Sequence, residues 1–227
     1  MNLPWLLAEL IGTFTLIFIG GGSVLLNEMN QGGVGLLGIA VAHGLAIGMM
    51  IAAVAHLSGG KLNPAVTLGL WVGGKVDTKT AISEIIAQLA GAVLAALCLK
   101  VIFSPQVVEA VHLATPALGN GVTPWIGIFT EAILSFLLVF VVWGTAVDPR
   151  SNFKAIAALA IGGVILFDIL VGGGITGAAM NPARAFGPAL VSGDWKDHYV
   201  YWVGPLLGGL LAGLFYSRVM LGRDERA

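Results

Sequence analysis

The stretch "GGKLNPAVTLGL", residues 59–70, places an asparagine and a helix-breaking proline inside an otherwise strongly apolar chain. The same elements return in "GAAMNPARAFGPAL", residues 177–190. Asparagine is a preferred N-cap residue, and proline is favoured at the first position of a helix. Each Asn-Pro pair therefore predicts the start of a short helix rather than a break within a longer one.

The composition is that of a membrane protein. Of the 227 residues, 57% are hydrophobic and 10% are charged, whereas about 25% are charged in a typical soluble domain. The net charge of −1 gives no basis for a nucleic-acid partner. A single cysteine, Cys98, excludes an internal disulfide and any multi-cysteine metal site. Because the sequence has no Ser/His/Asp arrangement, phosphate loop or metal-ligand spacing, we expect neither an enzyme nor a cofactor or metal.

Six apolar stretches are long enough to cross a bilayer, since a spanning helix needs about 20 mostly apolar residues. They cover residues 4–26, 34–56, 82–103, 123–146, 153–172 and 198–220. Two shorter pieces, 64–72 and 182–191, follow the Asn-Pro pairs and cannot span. The sequence thus predicts an all-α membrane protein with six transmembrane helices and two re-entrant half-helices.

Basic residues indicate the orientation, because they concentrate on the cytoplasmic side of membrane proteins. Most lie in two joints and the C-terminal tail: Lys61, Lys75, Lys79, Arg150, Lys154, Arg218, Arg223 and Arg226. We therefore expect both termini in the cytoplasm and a multi-pass protein of the plasma or inner membrane.

The chain also contains an internal repeat. Glu9 in "AELIGTF" matches Glu131 in "TEAILSF", and Asn63 follows the first at nearly the spacing by which Asn181 follows the second. Each copy has three spans, an odd number, so the second copy enters the membrane upside down. In such inverted repeats the binding path lies at the repeat interface, near the midplane.

This repeat defines the expected domain organisation. Residues 1–227 form a single channel domain, in which an outer loop, 104–122, joins the repeats 1–103 and 123–220. The half-helices enter from opposite sides, and their N-termini meet near the centre. Non-helical backbone is tolerated there only when it is buried in protein or lines a wet cavity.

With the paired motifs "HLSGGKLNPAVTLG" and "TGAAMNPARAFGPA", the chain resembles an aquaporin of the major intrinsic protein family over essentially its whole length. The resemblance implies a homotetramer in the lipid bilayer, with one pore per subunit for water and small neutral solutes. It also assigns the pore centre to two motifs, Asn63-Pro64-Ala65 and Asn181-Pro182-Ala183. Both asparagines would donate N–H groups to a passing water, while the half-helix N-termini repel cations.

Offsets from the motifs identify four family filter positions: His43, Ile169, Ala178 and Arg184. An arginine inside the membrane is functional by default. The quartet resembles that of the plant tonoplast intrinsic proteins, several of which pass ammonia or urea. The water-specific filter of the family has an aromatic residue in place of His43 and a histidine in place of Ile169. The pore is therefore expected to be less polar on one side and to pass ammonia as a second permeant.

Glu9 and Glu131 are carboxylates within the membrane. A proton relay is one interpretation of them. The family resemblance favours another, in which they accept hydrogen bonds from the backbone of the re-entrant loops and so leave fewer N–H groups unpaired.

Two further residues keep alternative interpretations. Asp168 adjoins Ile169, and it is either solvated at the interface or paired with Arg184, His43 or Lys100. His112 lies on the outer loop, where it is either a solvated histidine or, as in tonoplast-type channels, a partner of the filter arginine.

Two rival functions also stay open. An inverted-repeat secondary transporter for a small solute or anion would suit helix N-termini that face the midplane. A current carried by a salt gradient would favour it. A non-transporting membrane scaffold is the other rival. Vesicles that contain it would shrink in an osmotic gradient no faster than empty vesicles.

Overall fold

The computed structural model describes residues 3–221, so both chain ends and the tail residues Arg223 and Arg226 used for orientation lie outside the described residues. Within this range, six helices are long and apolar enough to cross a membrane. They are α1 (Leu3–Met29), α2 (Gly35–Ser58), α4 (Thr78–Ile102), α6 (Pro124–Val142), α7 (Ala157–Thr176) and α9 (Val200–Phe215). The π-helical segments Trp143–Val147 and Tyr216–Met220 extend α6 and α9, and the 3-10 turn Lys154–Ile156 precedes α7.

Two short helices follow the Asn-Pro pairs, α3 (Pro64–Val72) and α8 (Pro182–Ser192). Asn63 and Asn181 are their N-cap residues, and each cap side chain accepts a hydrogen bond from the first turn of its helix. Another short helix, α5 (Pro105–Ala110), and the 3-10 turn His112–Ala114 lie in the loop between the repeats. The predicted fold class, six spanning helices plus two half-helices, is confirmed.

Two helix boundaries differ from the prediction by a turn. Helix α4 begins at Thr78 because the Asp77 carboxylate caps it, accepting the backbone N–H of Thr80 at 3.0 Å. Helix α7 continues beyond the predicted end at residue 172 to Thr176, and Gly177 ends it with a left-handed φ of 80°. A methyl group on Gly172 would lie 2.5 Å from the Leu134 side chain, so this glycine allows close helix contact.

Helix packing repeats between the two halves of the chain. Helix α1 packs on α4 and α6 packs on α9, while α3 contacts α9 and α8 contacts α4. Gly91 in α4 lies against the Leu10 carbonyl, and Gly208 in α9 lies against the Ala132 carbonyl; an added methyl would be 2.2 Å from the oxygen in both places. Each half-helix is thus held against the last span of the other half, which brings both N-termini into the interior.

Candidate functional site

A buried carboxylate anchors the loop that precedes α3. One oxygen of Glu9 accepts the Ser58 hydroxyl at 2.7 Å and the Lys61 backbone N–H at 3.0 Å, and the other accepts the Leu62 N–H at 2.7 Å. Glu9 has no exposed surface. Since unpaired backbone groups are costly inside a membrane, the carboxylate supplies acceptors that the non-helical loop lacks.

Glu131 makes the same set of contacts with the loop that precedes α8. One oxygen accepts the Thr176 hydroxyl at 2.7 Å and the Ala179 N–H at 2.9 Å, and the other accepts the Met180 N–H at 2.7 Å. The three partners stand five, two and one residues before Asn181, as the partners of Glu9 do before Asn63. Both loops therefore have one construction.

The two central asparagines cross-link these loops. The amide nitrogen of Asn63 donates to the Met180 carbonyl at 2.9 Å, and that of Asn181 donates to the Leu62 carbonyl at 3.0 Å. Leu62 and Met180 have left-handed backbones, with φ of 54° and 52°. An amide nitrogen carries two hydrogens, so each asparagine keeps one for a molecule in the cavity that both residues line.

A cavity of about 910 Å³ runs through the protein beside these amides. At one end, which we call the inner vestibule, its walls include Trp5, Lys75 and Lys154, and at the other end they include Ala178 and Arg184. The inner vestibule lies on the side expected to face the cytoplasm.

A second cavity, of about 380 Å³, lies beyond the first and borders the outer loop. His43, Ile169 and Arg184 line both cavities. The boundary between the two spaces therefore lies at these three residues, and Ala178 contributes to the wall of the larger one. The structure thus brings all four predicted filter residues to the outer end of the main cavity.

Hydrogen bonds fix the two polar members of this quartet. His43 Nδ1 lies 2.9 Å from the Ile39 carbonyl. Gly20 of α1 leaves room for the ring, because a methyl group there would be 2.4 Å from Nε2. Arg184 Nη1 donates to the Ala114 carbonyl at 2.7 Å, and only 6% of the arginine is exposed.

The outer loop contacts Arg184 through its backbone rather than through His112. His112, Leu113 and Ala114 all have positive φ, at 46°, 55° and 61°, and this left-handed turn directs the Ala114 carbonyl to the guanidinium. His112 Nδ1 lies 3.3 Å from an Asp194 carboxylate oxygen, and 63% of the His112 side chain is exposed. Of the two alternatives for His112, the contact with Arg184 is not formed, and the Ala114 carbonyl takes that place.

Asp168 does not lie at a solvated interface, which was one of its two interpretations. Only 1% of the residue is exposed, and its Oδ2 has no hydrogen-bond partner within residues 3–221. The proposed partners bond elsewhere: Arg184 to Ala114, His43 to Ile39 and Lys100 to Val191. Burial in α7 explains why the interface alternative is wrong.

A charged cluster at the inner vestibule was not predicted from the sequence. Lys61 Nζ lies 2.8 Å from Glu84 Oε1, and the Trp5 indole N–H donates to the same oxygen at 2.8 Å. Glu84 and Gln88 are polar residues four apart on an apolar helix, so they share one helix face. This spacing could have indicated that the face makes buried polar contacts.

Comparison with known proteins decides the family. Residues 2–216 match the major intrinsic protein family. The chain belongs to this family. Among its relatives, Aquaporin TIP4-4 of Zea mays is 45% identical over 222 residues, covering 96% of this chain and 86% of that protein. Aquaporin TIP2-1 of Arabidopsis thaliana is 42% identical over 225 residues, covering 96% and 88%.

A solved structure agrees with this assignment. The aquaglyceroporin from Plasmodium falciparum matches this chain with a TM-score of 0.80 and 27% identity, covering 96% of both chains. As a major intrinsic protein with these aquaporin relatives, the chain is a multi-pass membrane protein and a passive water channel. The predicted resemblance to aquaporins of the tonoplast intrinsic type is confirmed.

Proposed function

We propose that this major intrinsic protein conducts water and neutral ammonia along the two cavities, and that it excludes protons and ions. The main support is that the crossed amides of Asn63 and Asn181 line the larger cavity, while His43, Ile169 and Arg184 line the boundary between both. A permeant therefore has to pass two sets of polar groups in sequence.

Ion exclusion rests on charge at both places. Each half-helix carries about half a positive charge at its N-terminus, and the N-caps of α3 and α8 are Asn63 and Asn181. Arg184 adds a full positive charge three residues further along. Two amide donors hold a central water with its hydrogens pointing away along the pore, so a chain of water molecules cannot relay a proton through it.

Ammonia permeation rests on the mixed character of the outer constriction. His43 and Arg184 offer polar contacts, whereas Ile169 and Ala178 offer apolar walls. Leaving a polar group without a hydrogen bond in a dry passage costs roughly 2 kcal/mol or more. Ammonia is about the size of water but is less strongly hydrated, so an apolar wall opposes it less. Positive Arg184 repels ammonium.

The double substitution His43→Phe with Ile169→His tests this role, because it moves the constriction towards the water-specific pattern. In vesicles loaded with a pH dye, an ammonium gradient should alkalinise the parent vesicles with no ammonium current. In the double variant, ammonia flux should fall more than water flux. A matched control is Leu170→Phe, on the exposed side of the same helix. Equal ratios of the two fluxes in parent and double variant would contradict the proposal.

We also infer how the chain assembles. Residues 1–227 form one channel domain, with 104–122 joining the repeats 1–103 and 123–220, and four copies associate around separate pores. Family membership supports the tetramer, and the mass of the detergent-solubilised particle by light scattering tests it. Residence in the plasma or inner membrane stays a prediction, which fractionation of expressing cells tests.

A further inference from the structure

The two re-entrant loops are tied to the last span of their own repeat by different chemistry. In the second repeat, the Tyr201 hydroxyl donates to the Thr176 carbonyl at 3.0 Å. In the first, Lys61 of the loop itself donates from Nζ to the Ser58 carbonyl, and its ammonium also contacts Glu84 of α4. Ser58 and Thr176 each stand five residues before the central asparagine. The same carbonyl is thus held by a neutral phenol in one loop and by a lysine in the other.

The partner of this lysine occupies the position of the phenol. Glu84 stands seven residues before Gly91, and Tyr201 stands seven residues before Gly208. These two glycines make equivalent contacts with the first span of their repeat. Glu84 therefore corresponds to Tyr201 in the repeat, and its Oε1 lies 2.8 Å from Lys61 Nζ.

Holding the loop does not require a charge, since Tyr201 does so without one. The Lys61 and Glu84 side chains are only 5% and 0% exposed. Removing two charges from water is costly, and their mutual attraction often does no more than offset that cost. A purely structural tether would therefore be made at lower cost by a phenol, which suggests that the charge has another role.

The pair is oriented with its positive end towards the cavity. Lys61 and Trp5 belong to the cavity wall, while Glu84 is fully buried behind them. The indole holds Glu84 by its N–H, and its ring centroid lies 5.4 Å from the ammonium. The other ionisable residues of the inner vestibule are three basic side chains and one acid: His56, Lys75, Lys154 and Asp77.

We propose that Lys61 is a charge-selecting residue of the inner vestibule, which repels small cations before they reach the central amides. Glu84 is its positioning residue, since it holds the ammonium at the wall without itself facing the cavity. Cations approaching from the inner side then pass Lys61 before they reach the central amides, and those from the outer side pass Arg184. This inference rests on the proposed pore, but its test needs no transport.

The local potential is measured by chemical labelling of a cysteine in the vestibule. Ala55 lines the cavity on α2, so Ala55→Cys in a Cys98→Ser background offers one thiol there. The reaction rates of this thiol with a cationic and an anionic methanethiosulfonate are compared in the parent and in Lys61→Met/Glu84→Gln. The double variant removes both charges, so no single buried charge is left without its partner. Because a charge on the wall of a partly aqueous space changes the potential at a thiol on the same wall, we expect the cationic rate to rise and the anionic rate to fall by about threefold each.

Two controls separate charge from structure. Lys61→Arg keeps the charge and should keep the parent ratio, whereas Lys79→Met removes an exposed lysine outside the cavity wall and should leave the ratio unchanged. A ratio in Lys61→Met/Glu84→Gln equal to the parent's would overturn the proposal, as would a thiol that neither reagent reaches. A merely structural role would alter folding or water flux without changing the ratio.

Osmotic water flux of the same proteins is measured separately. A parent protein that labels as expected but conducts no water would contradict the proposed pore function and leave the assignment of Lys61 standing. A conducting parent with an unshifted ratio in the double variant would contradict only the assignment.

Discussion

Glu131→Gln is the substitution that most sharply tests how the second re-entrant loop is held. The glutamate accepts three hydrogen bonds through two oxygens, from Thr176, Ala179 and Met180. Glutamine keeps one oxygen and replaces the other with an NH₂ donor. If the kept oxygen retains the Thr176 and Ala179 bonds, the new donor faces the Met180 N–H, and that buried group loses its partner.

The cost follows from this geometry. A buried N–H left without an acceptor costs about 1–3 kcal/mol, and the site gives water no access, because Glu131 has no exposed surface. We therefore expect Glu131→Gln to destabilise the folded protein by about 2 kcal/mol, or roughly a 30-fold change in the folded-to-unfolded ratio. The Met180 carbonyl positions Asn63, so water flux should fall as well.

Reversible unfolding in mixed micelles with rising dodecyl sulfate, followed by tryptophan fluorescence, measures this difference. The matched control is Glu109→Gln on the exposed outer loop, which should leave stability unchanged. If Glu131→Gln unfolds at the same detergent fraction as the parent, the carboxylate does not hold the loop in the way described.

Three further substitutions address the pore and its inner end. Ala178→Cys should create strong mercury inhibition of water flux, because Ala178 lines the cavity whereas the native Cys98 is exposed on α4; a response no greater than the parent's would remove Ala178 from the constriction. Asn181→Asp should lower water flux and disturb assembly, since it places a negative charge where the half-helices meet; unchanged flux and cation exclusion in folded tetramers would count against that meeting point. Hydrogen bonds from Arg150 hold the pKa of Asp148 well below its ordinary value. The ionised carboxylate therefore stabilises the fold at any pH above the ordinary pKa, and this stabilisation is lost as the pH falls through the lowered pKa. Asp148→Asn should therefore be less thermostable than the parent at neutral pH, and the difference should narrow only below about pH 4; a difference that disappears by pH 6 would exclude this ion pair as the cause.

Local signals were sufficient to predict the half-helices. The Asn63 cap and Pro64 at the first helical position act through adjacent residues only, so no tertiary contact is needed to predict this helix start. Helix α3 spans the predicted residues 64–72. The end of α7 was predicted too early, at residue 172, where a run of three glycines begins. In the structure they remain helical, since contacts with other helices, as between Gly172 and Leu134, decide the backbone there.

The same distinction applies to the site. The family resemblance together with offsets from the two motifs predicted His43 and Arg184 as neighbours at one constriction, and both line the boundary between the cavities. The Ala114 carbonyl could not be predicted, because no local propensity favours a left-handed run of non-glycine residues. Lys61 and Glu84 were also missed as a pair, since they lie on separate elements and meet only after the loop folds back.

Water conduction through this protein requires the two cavities to form one continuous path. Stopped-flow light scattering of proteoliposomes after an osmotic step tests it most directly. Vesicles that contain the parent protein should shrink faster than empty vesicles. The rate of shrinkage should depend only weakly on temperature, because water crosses without partitioning into hydrocarbon. If vesicles that contain the folded and inserted protein shrink only at the rate of empty vesicles, the two cavities do not form a path for water.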